Sequence, residues 1–293
     1  MAICWEELYI FTFIISLSAG NLISLNLLRI FRDYTPKLFY YENKKYLNTS
    51  RGTSKKHQNT YKNYKFNKNF ASYITGLIEG DGSIIVPKTE RSPKGKLYYP
   101  SIQIVFDLRD LPLGLIIQQK LSHGSISRKK GVNAYVLTIN NYEGIILVVN
   151  IINGYMRTPK INALYKLIDF LNIKFDLSIE KKIKDKSNIK DNSWLAGFID
   201  ADGHFSVRTT TVSKYPKMEC KFEVSQRQND HNNENNYEYL SLIADLLSTT
   251  VKEVRGDKPN PEYRVRTTSL NGGSEGSALN ISRLFIKLSV IFK

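Results

Sequence analysis

The sequence predicts an α+β protein built from two pseudo-symmetric halves, each running α-β-β-α-β-β-α, and three observations carry that prediction. The first is an internal repeat: "SYITGLIEGDGSIIV" at 72–86 aligns without a gap on "SWLAGFIDADGHFSV" at 193–207. Gly76 matches Gly197, Ile78 Ile199, Glu79 Asp200, Gly80 Ala201, Asp81 Asp202 and Gly82 Gly203, at a spacing of 121 residues, the length of one small domain. The second is that the same order of apolar periods follows each copy, switching between the helical period of 3.6 and the strand period of 2. The third is alternation on the second strand of each half, where Ile102, Ile104 and Phe106, or Phe222 and Val224, fall on one face. Ser101, Gln103 and Val105, or Lys221, Glu223 and Ser225, fall on the other.

Taken in order, the chain begins with an apolar segment, 1–32, in which no charged residue occurs over the 21 positions from Leu8 to Leu28. It is read as a membrane-spanning or exon-derived segment, against a buried or poorly ordered helix. Arg29 and Arg32 behind it favour a basic inner side, and the missing positive start separates it from a secretory signal. Residues 33–65 read as a basic Tyr/Asn/Lys/Ser linker. The first half spans 66–175: the motif helix, a strand at 83–88, a Pro/Lys/Gly loop, a strand at 98–107 and a helix at 111–121. Strands at 124–129 and 134–139 follow, then helices at 142–152 and 160–172. A linker, 176–191, leads to the second half, 192–293, with "HFSVRTT", "MECKFEVSQ", "YEYLSLIADLL", "VKEVRG" and "EYRVRTT" in the same order. This half is short, because only "ALNISRLFIKLSVIFK" answers the first half's last two helices.

Each sheet has one apolar face for helices to cover, which leaves the polar face open, and two halves side by side make a concave saddle. Arg208, Lys221, Arg227, Arg255, Arg264 and Arg266 lie on or beside the strands of one half. The whole chain has 42 Lys+Arg against 27 Asp+Glu, a formal charge of +15 and a pI near 9.6. That balance implies a polyanionic partner, nucleic acid or an anionic membrane surface. Two cysteines, Cys4 and Cys220, exclude a disulfide framework and a cysteine zinc site. Abundant Asn, Lys, Ile and Tyr point to an A/T-rich genome.

The repeated motif has a chemical reading. Gly76 and Gly80, like Gly197 and Ala201, are four residues apart and share a helix face, so two such helices can pack with their backbones nearly touching. That packing brings Asp81 and Asp202 together at the foot of the pair. Two carboxylates so placed repel, and one tends to hold a proton unless a divalent cation joins them. Free carbonyls of Gly80 and Ala201 at the helix ends would add oxygen ligands, and Gly82 and Gly203 are expected to supply left-handed caps.

"LAGFIDADG", with "ITGLIEGDG" as its variant, resembles the signature of the LAGLIDADG homing endonucleases, and the resemblance covers roughly residues 66–293. "GYMRTPKINALYKLIDFLN" at 154–172 resembles the segment that follows the first half in fungal mitochondrial members. The resemblance implies a single-chain, monomeric, Mg²⁺- or Mn²⁺-dependent endonuclease that makes a double-strand break in DNA and promotes homing of the intron encoding it. It places the protein in the mitochondrial matrix, with inner-membrane association through residues 8–28 as a further expectation. It assigns metal binding to Asp81, Asp202, Gly80 and Ala201, and catalysis to Asp81 and Asp202 with Gln226 as a polar helper. The same resemblance makes the saddle a DNA-reading surface. The contacts expected there are Lys88, Arg91, Lys94, Lys96, Gln103, Ser127, Lys129 and Lys130 in the first half. In the second they are Arg208, Lys217, Lys221, Arg227, Arg255, Arg264 and Arg266.

The chain departs from the pattern in three places. Gln226 has its positional counterpart around Phe106 and Asp107, and the lysine that often follows the fourth strand is replaced by Asn140 or Asn141, and by Ser269. These departures keep open a second reading, an RNA maturase that helps a group I intron to fold. A third, a binding module without chemistry, has no use for both Asp81 and Asp202. Glu79 and Asp200 are expected to be structural acids, His204 and His231 a strand and a loop histidine, and Trp194 a core residue.

Overall fold

The computed structural model describes residues 67–89, 91, 93–210, 217–230 and 232–268, with the side chains of all but 207–210, 217–220 and 268. The apolar stretch 8–28, the linker 33–65, Ser269, His231 and the C-terminal helix expected from "ALNISRLFIKLSVIFK" lie outside these residues. No helix among the described residues is long and apolar enough to cross a membrane.

The first half runs α1 (Lys68–Asp81), β1 (Gly82–Ile85), β2 (Ser101–Asp107), a 3₁₀ turn (Leu108–Asp110), α2 (Leu111–Leu121), β3 (Ser125–Arg128), β4 (Ala134–Ile139), α3 (Tyr142–Ile152) and α4 (Ile161–Phe175). The second runs α5 (Trp194–Asp202), β5 (Gly203–Thr210), β6 (Lys217–Arg227), α6 (Tyr237–Leu246), β7 (Val251–Val254) and β8 (Glu262–Thr268). Each half contains a four-stranded antiparallel sheet in the same order, β1-β2-β4-β3 and β5-β6-β8-β7. The pseudo-symmetry is therefore one of topology as well as of sequence.

Local chemistry sets the ends of these elements. The Asn67 side chain accepts a hydrogen bond from Asn69 N at 2.9 Å and so caps α1. The strand expected over 83–88 stops at Ile85, two residues before Pro87, and the one expected from 98 starts at Ser101, directly after Pro100. A proline has no N–H to give to a ladder, so both strands end beside one.

Gly82 and Gly203 correct an expectation. Both are extended, at φ −89° and φ −76°, and neither is a left-handed cap. The requirement is spatial: a Cβ on Gly82 would lie 2.7 Å from Ile78 O, and one on Gly203 2.6 Å from Ile199 O. Only glycine lets the chain double back from the helix end into the strand at that distance from its own last turn.

Alternation along β2 is as the sequence predicts, with Ile102, Ile104 and Phe106 buried, and in β6 Phe222 and Val224 are buried likewise. Behind each sheet lies a separate apolar cluster. Ala196 and Ala201 of α5 belong to the first half's cluster, so the motif helices close both cores at their junction.

Candidate active site

The closest approach of the two halves is the α1–α5 pair. A Cβ added to Gly76 would stand 2.0 Å from Trp194 O, and one on Gly197 1.9 Å from Tyr73 O. One on Gly80 would stand 2.3 Å from Ala201 Cβ. The two backbones thus touch along the face of small residues, and no larger residue fits there. Three hydrogen bonds cross the contact. The Tyr73 hydroxyl donates to Asp200 Oδ2 at 2.7 Å, Trp194 Nε1 donates to Glu79 Oε2, and Ser193 N donates to Ser72 Oγ at 3.0 Å. Tyr73 and Trp194 occupy equivalent motif positions, as do Glu79 and Asp200, so the first two bonds are pseudo-symmetric partners. Trp194 packs in the core as expected and also carries this donor.

These bonds separate the four motif acids into two kinds. Glu79 is buried and also accepts from Arg157 N at 3.0 Å, Thr158 N at 2.7 Å and Thr158 Oγ1 at 2.6 Å. Burial pushes its pKa up, and those donors pull it back. Asp200 is pushed up to about 6 by burial, opposed by the Tyr73 bond. Both acids are occupied in tying the helices to each other or to the segment after α3.

Asp81 and Asp202 sit half-buried at the foot of the pair. Asp202 Oδ2 comes within 2.9 Å of where a Cβ on Gly80 would stand. Burial, then the charge of Asp202, pushes Asp81 up to about 6. Burial raises Asp202 as well, while Lys160 and a hydrogen bond from Gln226 hold it down.

Ladder register fixes the counterpart of Gln226. Gly82 pairs with Ile104 and Gly203 with Val224, so Gln226 corresponds to Phe106, which is buried. An amide supports Asp202 where the first half has a phenyl ring, and the two acids have unequal surroundings. Asn141, at the expected lysine position, instead forms a 2.9 Å hydrogen bond with His123 Nδ1 at the start of α3. Asn140 is exposed.

A cation beside this helix end comes from elsewhere. Lys160, at the start of α4, donates through Nζ to the carbonyls of Ile78 (3.0 Å), Glu79 (2.7 Å), Gly80 (3.1 Å) and Gly82 (2.8 Å). Burial pulls its pKa down, while Glu79, Asp202 and Asp81 hold it up. Sequence reasoning missed it, since no periodicity says that a lysine opening one helix reaches the end of another. The only trace is its place in the "RTPK" run.

Among the described residues no group of three or more His, Cys, Asp or Glu side chains is arranged to hold a metal. What converges is two carboxylates, Asp81 and Asp202, at the ends of two helices, beside a Gly80 carbonyl that also accepts from Lys160 Nζ at 3.1 Å, so the donors are oxygens. That fits a hard ion such as Mg²⁺, which binds through one or two carboxylates and completes its shell with water and phosphate.

The expected saddle residues divide by sheet. In the second half the ladder aligns His204 with Glu223 and Arg266, Ser206 with Lys221 and Thr268, and Ser225 with Arg264 and Lys252, all on the face away from Phe222 and Val224. Glu223 pairs with Arg264 at 3.2 Å and Arg266 at 3.0 Å, and Arg264 Nε also donates to Ser225 Oγ. Arg227 is exposed, and Arg255, at φ 58°, pairs with Glu262 at 2.7 Å. Arg208 and Lys217 pair with Glu219 and Thr210 in the β5–β6 ladder. Lys252 joins this row without having been anticipated.

The open face of the first sheet is milder, with Ser83, Gln103, Thr138 and Ser125 in one row and Val105, Val136 and Ser127 in the next. Its cations lie at the margins. Lys88, Arg91, Lys94 and Lys96 are exposed around a turn closed by the Arg91–Leu97 bridge, and Lys129 and Lys130 are exposed beyond β3.

Known proteins share this arrangement. The sequence profile of the family described as "LAGLIDADG endonuclease" matches twice, over residues 74–171 and 195–272. "Intron-encoded DNA endonuclease aI3" of Saccharomyces cerevisiae is 34% identical over 199 residues, covering 61% of this chain and 48% of that protein. "Intron-encoded RNA maturase bI4" of the same yeast is 34% identical over 152 residues, 51% of this chain and 21% of that protein. The chain thus spans about half, or less, of the length of these relatives. Among solved structures, the LAGLIDADG homing endonuclease I-GzeII in complex with its DNA target superposes with a TM-score of 0.56 at 19% identity, covering 76% of this chain and 87% of that one. The meganuclease I-CpaMI bound to uncleaved DNA gives 0.55 at 17%, covering 77% and 86%. At those identities the superpositions speak for the fold, and the doubled profile match, placed on the two motif helices and their sheets, speaks for descent: the chain belongs to the LAGLIDADG endonuclease family.

Proposed function

We propose that the protein is a site-specific, Mg²⁺-dependent DNA endonuclease that makes a double-strand break, encoded in a mitochondrial intron whose homing it promotes. The observation that carries this reading is the convergence of Asp81 and Asp202 at the foot of a helix pair, between two sheets with open polar faces. In it, Asp81 and Asp202 hold divalent ions together with the Gly80 and Ala201 carbonyls, with Mn²⁺ able to replace Mg²⁺. Such an ion supplies Lewis-acid polarisation of the scissile phosphate and lowers the pKa of water.

The chain's own residues do the rest. Gln226 fixes the orientation of Asp202. The Tyr73–Asp200 and Trp194–Glu79 bonds hold the helix ends at one separation, and with it the spacing of the acids. Lys221, Arg227, Arg264, Arg266 and the marginal lysines bind phosphates and read base edges, the first for affinity and the second for sequence. The protein acts as a monomer because both motifs are on one chain. Its place is the mitochondrion, a reading supported by fungal relatives named as intron-encoded, and membrane contact through residues 8–28 belongs to the same proposal.

The likeness to the yeast maturase supports a second reading, binding of group I intron RNA by the same basic faces. One experiment separates them. The purified chain with Mg²⁺ and a duplex spanning the intronless host gene is expected to cut both strands at one place, and Asp202→Asn to abolish cutting while still binding. Faster splicing of the intron RNA with no cutting of any duplex would overturn the endonuclease reading.

A further inference from the structure

Lys160 contributes more than a helix cap. A lysine ammonium has three N–H groups, and here four carbonyls lie within reach, so one N–H is shared. The root of the side chain is fixed as well. Lys160 N donates to Thr158 Oγ1 at 3.2 Å, and that hydroxyl donates to Glu79 Oε1 at 2.6 Å. Both ends of Lys160 are therefore fastened to the last turn of α1, from a segment nearly 80 residues further along the chain. Nζ lies against the carbonyls on either side of Asp81, at the helix end that Asp202 approaches, and the charges of Glu79, Asp202 and Asp81 hold its own charge up against burial; the placement of those acids is otherwise unfavourable. The carboxylates stand at the negative ends of two helices, close to each other and partly out of water.

We propose that Lys160 is an internal counter-cation for the motif acids, a positioning residue that holds the end of α1 and both carboxylates in place before any divalent ion or DNA arrives. The inference deepens the endonuclease reading, since those carboxylates are the proposed metal ligands, but it is tested without DNA. A cap acting on carbonyls alone would be indifferent to the charge of Asp81 and Asp202. A counter-cation is coupled to both, and another cation can stand in for it.

The experiment follows thermal unfolding by circular dichroism in EDTA and in millimolar Mg²⁺. Lys160→Met is expected to lower the midpoint in EDTA by about 4 °C or more, and Mg²⁺ to restore much of the loss. Adding Asp202→Asn to Lys160→Met is expected to raise the midpoint in EDTA, because the uncompensated repulsion is gone. Lys160→Arg, which keeps the charge, is expected to stay nearer the wild type than Lys160→Met does.

A loss in Lys160→Met that neither Mg²⁺ nor Asp202→Asn alters would overturn the proposal and leave a simple helix cap. Should Lys160→Met fail to fold, the triple variant with Asp81→Asn and Asp202→Asn decides: folding supports the counter-cation, and failure to fold overturns it. If these shifts occur and the wild type cuts no duplex, the endonuclease reading falls and the counter-cation stands.

Discussion

Gly197→Ala is a substitution whose sign separates local propensity from packing. In an exposed helix interior, alanine is favoured over glycine by about 1 kcal/mol, so a helix judged alone would gain from the change. Here the new Cβ would lie 1.9 Å from the Tyr73 carbonyl oxygen, where ordinary contact starts at 3.4 Å. The obstacle is backbone, so no rotamer relieves it, and α1 and α5 must part by about 1.5 Å. Overpacking that side chains can absorb costs about 1–3 kcal/mol, and a rigid carbonyl puts this case at the upper end. Less the ~1 kcal/mol gained in helix propensity, the net loss is about 2 kcal/mol, and a folded region of this size should melt about 4–8 °C lower. The control is Gly256→Ala, where a Cβ meets nothing within 4 Å and φ is not positive, so the midpoint should stay within about 2 °C. Thermal unfolding of the three proteins side by side decides. An unchanged or raised midpoint in Gly197→Ala would mean that the helices do not meet at these faces.

Two more predictions concern the acids. Asp81 has its pKa raised from 3.8 to about 6 in the folded chain, so the fold binds that proton more tightly than the unfolded state does. The resulting stability is present below pH 3.8 and is lost as pH rises to about 6. In metal-free buffer the urea midpoint of Asp81→Asn minus that of wild type should therefore grow from pH 4 to pH 7, and a flat difference would contradict the raised pKa. For Glu79→Ala, which strands buried donors on Trp194, Thr158 and Arg157, urea unfolding should show a loss of about 3 kcal/mol or more. A loss under 1 kcal/mol would mean that the Glu79 network is not held in solution.

The sequence displayed the architecture because the features that determine it are local and were written twice. Alternation at 102–106 and 222–224 and the small residues at 76, 80, 197 and 201 each act within one element, and the recurrence of the motif after 121 residues showed which elements correspond, whereas the strand ends set by the prolines at 87 and 100 were overrun. The Gly82 and Gly203 conformations were misread because a glycine after a helix is usually wanted for positive φ, whereas these two answer a close approach to Ile78 and Ile199. Lys160, Tyr73 and Thr158 were invisible for a different reason. Each acts on a residue of another element, and only the crossing of α1 with α5 and the return of the chain after α3 bring them there. The amide beside Asp202 was legible in half: Gln226 could be named from its strand, with its counterpart at Phe106 or Asp107, and the ladder register chose Phe106.

Seen this way, the acids at the helix ends pose one electrostatic problem with several partial answers. Helix dipole, mutual repulsion and loss of water all disfavour ionised Asp81 and Asp202, and no single partner offsets all three. Gln226 serves Asp202, whereas the charge of Lys160, held at the carbonyls of the α1 end, acts on both acids. Glu79 and Asp200 instead accept hydrogen bonds from Trp194, Thr158 and Tyr73, which ties them into the helix packing. The glycine contacts make this arrangement stiff, since the acids cannot separate to relieve their repulsion without opening the tightest packing between the halves. A pair of carboxylates that can neither move apart nor be fully neutralised from within retains negative potential at one place. Under the proposed reading, that residual potential recruits the divalent ion, and the basic faces on either side bring the phosphates to it.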